Sequence, residues 1–357
     1  NAASARQSRG SASSRDGSSS TREARTAALA SFNRAGRALI LALFAIDLAQ
    51  HCNARQLLRL ISVAVAIAIV ASIIAIITPP HYGYSAIAGY HDAWRGALTH
   101  KNAFGALMSL GVVFGYYALA LRACARPIAA FTLIASAILL VGSRSATAIM
   151  TTLALVPSAY FLNAFGAARS GGLKIVVLIA ALLAALMSAS ALLLVDDFIE
   201  LTGRSDTWTG RAAIWRAVGP FVDARPLLGH GHGFWSTDGA ARAMIWRELN
   251  WAPPHAHNNY IDLWLQFGLV GLAIASATLA TAIARGVRVL IQRESAMSVL
   301  WLLVMMSLLL RSLTEATFVD PNISGMFWLT LGYAALTRMA IDLRALKRAA
   351  EPRAVSS

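Results

Sequence analysis

Apolar residues run through this chain in long blocks, separated by short polar or basic stretches. Blocks cover about 35–50, 58–78, 103–121, 127–142, 147–167, 173–195, 259–284, 296–313 and 322–341. Most are long enough to cross a ~30 Å hydrocarbon core as a helix, which needs about 17–25 apolar residues. In lipid the backbone must satisfy its own hydrogen bonds, so such blocks read as helices. The pattern predicts an all-α, polytopic transmembrane protein with about eight to nine membrane helices and one large outer loop. The block at 35–50 is the weakest, because Arg34, Arg37 and Asp47 interrupt it. The blocks at 127–142 and 147–167 are joined so tightly that they read as a helical hairpin.

Between the blocks the character changes twice. Residues 1–25 are rich in Ser, Arg, Ala and Gly without apolar period, and read as a disordered tail. Residues 196–258 form a loop far longer than a simple connection. Within it, Ile214, Trp215, Val218, Phe221 and Val222 recur at helical spacing. They predict a helix over about 210–223, capped by Thr209 or Asp206 and ended by Pro226. With Trp208 and Trp215 nearby, this helix is expected to lie on the bilayer surface. The domain reading is therefore a tail (1–25), N-terminal membrane helices (35–195), the large loop (196–258), C-terminal membrane helices (259–341) and a final tail (342–357).

Composition supports the pattern. The 357 residues are 57% hydrophobic and 13% charged, with mean hydropathy +0.59. Soluble domains carry about 25% charged residues. The net charge of +14 does not imply nucleic acid, because the basic residues collect in short loops and tails. Arg122 and Arg126, Arg169 and Lys174, Arg285, Arg288 and Arg293, and Arg344, Lys347, Arg348 and Arg353 fall on one side if every block from 58 onward crosses. Basic loops face the cytoplasm, which places 79–102, 143–146, 196–258 and the acidic loop with Glu315 and Asp320 on the periplasmic side. The block at 35–50 then puts the basic N-terminus outside. The chain also begins without methionine, so an upstream helix is expected to resolve that conflict. Cys52 and Cys124 fall on the cytoplasmic side, as reduced thiols without a metal or disulfide framework.

Several outer-face basic groups break the charge rule. They are Arg95 and Lys101 around Thr99-His100-Lys101-Asn102, Arg144 in Gly142-Ser143-Arg144-Ser145, and Arg211 and Arg216 in the long loop. Each alone could be a snorkelling side chain, a solvated helix face or a contact to anionic lipid. Together they suit a lipid-linked pyrophosphate, which arginine grips bidentately. Histidines cluster on the same side, as His230-Gly231-His232-Gly233 and His255-Ala256-His257-Asn258. His257 stands where the loop re-enters the membrane, with Asn258 as a helix cap and Asp262 one turn on, able to orient an imidazole. Imidazole is suited to accept a hydroxyl proton. A metal reading of the His-x-His pairs is weaker, since no carboxylate or cysteine stands near either at ligand spacing. The glycines around His230 and His232 mainly make a turn. No cofactor and no metal is expected.

The ordered series Gly210-Arg211-Ala-Ala-Ile214-Trp215, Arg225-Pro226-Leu-Leu-Gly229-His-Gly231 and His257-Asn258-Asn259-Tyr260-Ile-Asp262, continuing to Gly268 and Gly271, resembles the O-antigen ligase and Wzy-type polymerase superfamily. His100-Lys101-Asn102-Ala-Phe-Gly105 and Gly142-Ser-Arg144-Ser-Ala look like its exopolysaccharide-production branch. The resemblance implies a metal-independent membrane glycosyltransferase of GT-C type. It implies a glycan carried on undecaprenyl pyrophosphate as donor and an acceptor glycan, at the periplasmic face of the inner membrane. It implies polysaccharide chain-length and export proteins as partners, besides membrane lipid. His257 is the implied catalytic residue, and Arg211 and Arg144 hold the pyrophosphate, with Lys101 and Arg95 near them. Asn258, Asp262, Arg216 and His255 are supporting residues. Polymerase is the first expectation and a ligase moving finished glycan to lipid A or protein the second. A transporter or flippase fits less well, because few ionisable residues sit mid-span, and a structural subunit of an envelope complex is the remaining reading. Family members usually carry more helices before 35–50, where this chain has its arginine–serine tail.

Overall fold

A computed structural model gives the architecture. It describes residues 35–86, 91–167, 209–235, 239–293, 296–316 and 323–350, with isolated positions at 29, 32–33, 171–172, 175–176 and 179. The expected tail at 1–25 and nearly all of the apolar block at 173–195 lie outside the described residues.

The described residues are helical, apart from connections and one isolated bridge between Tyr84 and Trp94. The helices are α1 (35–51), α2 (Ala54–Ile77), α3 (Lys101–Ala120), α4 (Arg126–Gly142), α5 (Ala146–Ala167), α6 (Thr209–Ala224), α7 (Ala240–Leu249), α8 (Asn259–Arg293), α9 (Ala296–Ser312) and α10 (Ile323–Ala350). α2, α3, α5 and α8 are long and apolar enough to cross a membrane, and α4 and α9 are shorter apolar helices. This is a multi-pass helical membrane protein. α8 and α10 run several residues past the ends of their apolar blocks. Charged side chains end an apolar run at Arg285 and Arg344, but their backbones continue a helix without penalty.

The lipid-facing side is visible in what stays exposed. Ile67 and Ile74 on α2, Ile134 and Ile138 on α4, Leu153 on α5 and Ile274 on α8 are all more than half exposed. Apolar helix surface on that scale is stable against hydrocarbon, not water. Inward, small residues bring backbones together. A Cβ on Gly111 would meet the Ser136 Oγ at 2.1 Å, and one on Gly115 would meet the Leu133 backbone nitrogen at 2.6 Å. These two glycines, four apart, let α3 and α4 pack closely, as small residues do where no hydrophobic force drives helices together. α2 starts on a capping box between Asn53 and Gln56.

The large loop is not a bilayer-surface helix. Ile214, Ala217, Val218 and Val222 of α6 bury their stripe against Phe234, Trp235, Ile245, Ala256 and Leu265, a second hydrophobic core separate from that of the membrane helices. The stripe that suggested lipid contact is covered by the loop's own residues and by Leu265 of α8. Trp208 lies outside the described residues.

This small domain is fastened to α8 at a break. Gly268 has φ 66 and ψ −170, a conformation open only to glycine. A break in a helix strands backbone donors and acceptors. Here the segment 226–231 takes them up. His230 and Gly231 N–H donate to the Leu265 and Gln266 carbonyls at 2.8 and 2.9 Å, while Leu269 and Val270 N–H donate to the Pro226 and Leu227 carbonyls at 2.8 and 3.3 Å. Backbone lies directly on backbone: a Cβ on Gly268 would stand 2.1 Å from the Leu227 carbonyl.

Gly268→Ala should therefore lower the melting temperature in detergent by several degrees. The backbone strain alone is worth about 1–3 kcal/mol, and the collision adds to it. Gly219→Ala, on α6 with nothing within 4 Å of the new Cβ, should be neutral or slightly stabilising. Equal melting of the two variants would refute this account of the junction.

Candidate active site at the helix ends

One end of the helical body gathers polar residues from five distant segments. The loop before α8 brings His255 and His257, α6 brings Arg211 in its first turn, and α3 brings Lys101 and Asn102 at its start. The α4–α5 turn brings Ser145, and the end of α9 brings Arg311 and the following Glu315.

Glu315 sits at the centre, 6% exposed. Its Oε1 accepts from Asn102 Nδ2 at 2.9 Å and lies 3.7 Å from an Arg211 guanidinium nitrogen. Its Oε2 faces two imidazoles, His257 Nδ1 at 3.4 Å and His255 Nε2 at 3.8 Å. Asn102 is itself held, its Oδ1 accepting from Ser145 Oγ at 3.1 Å. Lys101 donates to the Arg144 carbonyl at 3.3 Å, and Arg311 reaches the Asn102 carbonyl at 3.5 Å. Burial pushes the Glu315 carboxyl up. The pull of His257, then His255 and Arg211, outweighs it and holds the group well below the ordinary carboxylate range.

The strand of loop that presents His257 is tied down on both sides. Trp246 Nε1 donates to the Pro253 carbonyl at 3.3 Å and Trp215 Nε1 to the Ala256 carbonyl at 2.9 Å. Asp262, fully buried, accepts from Ala256 N–H at 3.0 Å and from Trp235 Nε1 at 2.6 Å. Asn258 then caps α8, accepting from Tyr260 and Ile261 N–H at 3.0 and 3.2 Å. Between these anchors His257 is left at φ 51. A left-handed histidine is uncommon and persists where its surroundings over-determine it.

Other sequence-derived residues fall differently. Asp262 does not face the imidazole; it fixes the loop, and the acid beside His257 is Glu315. His255 shares the pocket, its ring 4.1 Å from that of His257. Arg144 has its guanidinium half-exposed and paired with Asp92. Arg95 donates to the Tyr82 and Thr99 carbonyls at 2.9 and 3.5 Å, tying its own loop. Arg216 lies exposed on the outer side of α6, against the Ala212 carbonyl. His230 donates from Nε2 to the Phe221 carbonyl at 2.7 Å, and His232 stacks near Phe267. Both stand at the junction with α8.

The fold brings to one His-x-His pair a carboxylate that no sequence spacing places beside it. Ligand atoms of His255, His257 and Glu315 lie within 4.8 Å of one another, a set of the kind that can hold a metal ion. Glu315 is far away in sequence, so spacing gave no sign of it. Its only mark was an acid just past an apolar span, on the side where the histidines fall.

The fold defines a multi-pass helical membrane protein with a small second core docked on α8. Residues 129–276 match the family model described as O-antigen ligase. The match begins in α4 and ends in α8, so it contains Arg144, Arg211, His255 and His257. The chain is also similar to the exopolysaccharide production protein ExoQ of Rhizobium meliloti (strain 1021). The two are 26% identical over 210 residues, covering 56% of this chain. The chain matches about half the length of that relative, 48%.

The pocket has a pH signature. Burial, then repulsion from His257, holds His255 well below the usual imidazole value, against the attraction of Glu315. His100, which caps α3 by accepting from Asn102 N–H, is lowered chiefly by burial. Both groups bind protons more readily in the unfolded chain, so stability present above about pH 6.5 is lost as pH falls below it. The melting temperature in detergent should drop between pH 7.5 and 5.5, and less so in His255→Gln. A flat or rising profile over that window would count against the buried neutral imidazoles.

Proposed function

We propose that this protein is a membrane glycosyltransferase that joins glycan units carried on undecaprenyl pyrophosphate, working at the periplasmic face of the inner membrane. The observation that carries the reading is the convergence of His257 with Arg211, Lys101 and Arg311 on one pocket at the helix ends. A base and several cations in one place suit attack by a hydroxyl on a sugar whose leaving group is a pyrophosphate.

In this reading His257 Nε2 takes the proton of the acceptor hydroxyl as its oxygen bonds to the anomeric carbon of the donor. The bond from that carbon to the lipid pyrophosphate breaks, and the electron pair leaves with the phosphate. Arg211 and Lys101 neutralise that departing charge. Arg144 is the second proposed arginine ligand, exchanging Asp92 for a phosphate oxygen. Arg95 and Arg216 are left out of the phosphate contacts. Catalysis then rests on positioning and charge stabilisation, since the leaving group is already good. The ExoQ relative favours repeat-unit polymerisation, and the O-antigen ligase match supports transfer of finished glycan as a second reading. A deletion strain decides: single repeat units without long chains point to a polymerase, and long chains left on the carrier lipid point to a ligase. Polysaccharide chain-length and export proteins are proposed partners.

We assign no metal. The Arg211 guanidinium already lies 3.7 Å from the carboxylate that a dication would need.

His257→Ala should abolish transfer by purified protein, within the ~10²–10⁴-fold that a general base contributes. Arg211→Lys should impair it nearly as much as Arg211→Ala, because both lose the bidentate fork. EDTA should leave the rate unchanged. Wild-type turnover in His257→Ala, or inhibition by EDTA reversed by zinc, would sink the assignment and turn His255, His257 and Glu315 into ligands.

Orientation is testable in a background without Cys52 and Cys124. Cysteine at the exposed position 240 should label from the periplasm, and cysteine at the exposed Arg288 should not. Leu290 is unsuitable, since at 3% exposure it would be silent on either side. The reverse labelling pattern would overturn both topology and site.

A further inference from the structure

We infer that Glu315 is the positioning carboxylate of a His257–Glu315 dyad, held in register by Asn102 and Ser145. This rests on the reading of His257 as the base and adds a residue that neither the family resemblance nor the sequence pattern named.

Two buried carboxylates lie near His257. Asp262 turns its oxygens to Trp235 Nε1 and the Ala256 N–H, the donors that fix the loop. Glu315 is used differently on its two sides. Oε1 is taken by Asn102 and Arg211, which leaves Oε2 directed at the two histidine rings. The backbone N–H of His257 donates to His255 Nδ1 at 3.1 Å. That nitrogen must then be unprotonated, so neutral His255 carries its proton on Nε2, the atom 3.8 Å from Oε2. His257 meets the same oxygen with Nδ1 at 3.4 Å. With its proton on Nδ1, His257 keeps the Nε2 lone pair for the acceptor hydroxyl. A carboxylate behind one ring nitrogen thus selects the tautomer that makes the other a base.

The surroundings make this carboxylate matter more than one acid ordinarily would. Among the described residues, the charged and titratable groups around His257 are His255 on its own loop, Arg211 on α6, His100 and Lys101 at the head of α3, and Arg311 and Glu315 at the end of α9. Glu315 is the one anion in that set. When His257 takes the acceptor proton, the new imidazolium stands among Arg211, Lys101 and Arg311, and Glu315 is what offsets it. The proton then passes to water or to the departed pyrophosphate, restoring the neutral ring.

Asn102 and Ser145 set the rotation of the carboxylate. Asn102 Nδ2 holds Oε1, and Ser145 Oγ donating to Asn102 Oδ1 fixes which way the amide faces. Three helix ends, those of α3, α4–α5 and α9, therefore agree on where Oε2 points.

The test uses full-length protein in detergent and the lipid-linked glycan fraction extracted from membranes of a strain lacking this protein. Glu315→Gln should lower kcat by about 10²–10³-fold, in the lower part of the span a general base contributes, with KM changed far less. The base must be unprotonated to act, so activity fails as pH falls. Loss of the carboxylate disfavours imidazolium, and the acid limb of the pH–rate profile should move to lower pH. Glu315→Asp should recover part of kcat and return the limb towards wild type. Asn102→Ala should show a smaller loss with the same direction of shift. A role in folding alone would reduce the yield and melting temperature but leave the limb in place. If His257→Ala is inactive while Glu315→Gln keeps wild-type kcat and pH profile, the dyad is wrong and His257 stands as the base. If His257→Ala itself keeps its turnover, the underlying reading has failed instead. Should Glu315→Gln not fold, Asn102→Ala decides by the same limb: a shift supports the dyad and an unmoved limb overturns it.

Discussion

A helix broken beside a membrane must find partners for the backbone groups it gives up, and the break at Gly268 finds them in the segment 226–231. Two donors and two acceptors of α8 are returned to the hydrogen-bonded state by that one segment. The exchange works only because Gly229 and Gly268 let two backbones touch, with φ 69 and 66. Everything outside the helical body follows from this clasp. It fixes Phe234 and Trp235 against α6 and brings Trp235 to Asp262, from which Ala256 and then His257 take their places. The docked domain is therefore a frame whose last residues are delivered to the helix ends at a set height.

That delivery explains why His257 tolerates a left-handed backbone. Ala256 is gripped through both its N–H and its carbonyl, and Asn258 is committed to capping α8. The one residue between them takes the conformation that joins the two. The strain costs the fold something, and the return is that the ring cannot wander from Glu315. His255, two residues earlier, uses its Nδ1 to accept from the His257 backbone, so each histidine restrains the other.

Much of this was legible in the chain. Apolar block length gave the helices, because in lipid the hydrocarbon thickness sets a length that sequence must obey. The helix at 210–223 was found by its stripe and appears as Thr209–Ala224, but its partner was misjudged. An apolar stripe reports that a face is covered without reporting by what, and the loop's own aromatics cover it. The arginines were harder. A charge that breaks the positive-inside pattern signals a partner, yet Arg211 finds it in the pocket while Arg95 finds it in the carbonyls of its own loop. Asp262 was seen because it stands one turn from His257, and local spacing misled as to its use. Glu315 was placed on the same side as the histidines but given no role, because its nearest relations are made through Asn102, 213 positions away along the chain. Contacts of that range carry no periodic signature.

The helix ends contribute a field that no single side chain supplies. Lys101 opens α3, Ser145 immediately precedes α5, Arg211 lies in the first turn of α6 and His257 stands just before α8. Each helix N-terminus carries about half a positive charge from its aligned peptide dipoles, and here four of them border one pocket together with Arg211, Lys101 and Arg311. A pocket of that sign at the boundary of the hydrocarbon suits a ligand with an anionic group on an apolar tail. In the proposed reaction the apolar tail would lie along the exposed isoleucines of the helices and the anion at the N-termini. A base that must gain a proton there needs an anion fixed beside it that the departing phosphate cannot carry away. Glu315, buried and held on its far side by Asn102, meets that requirement.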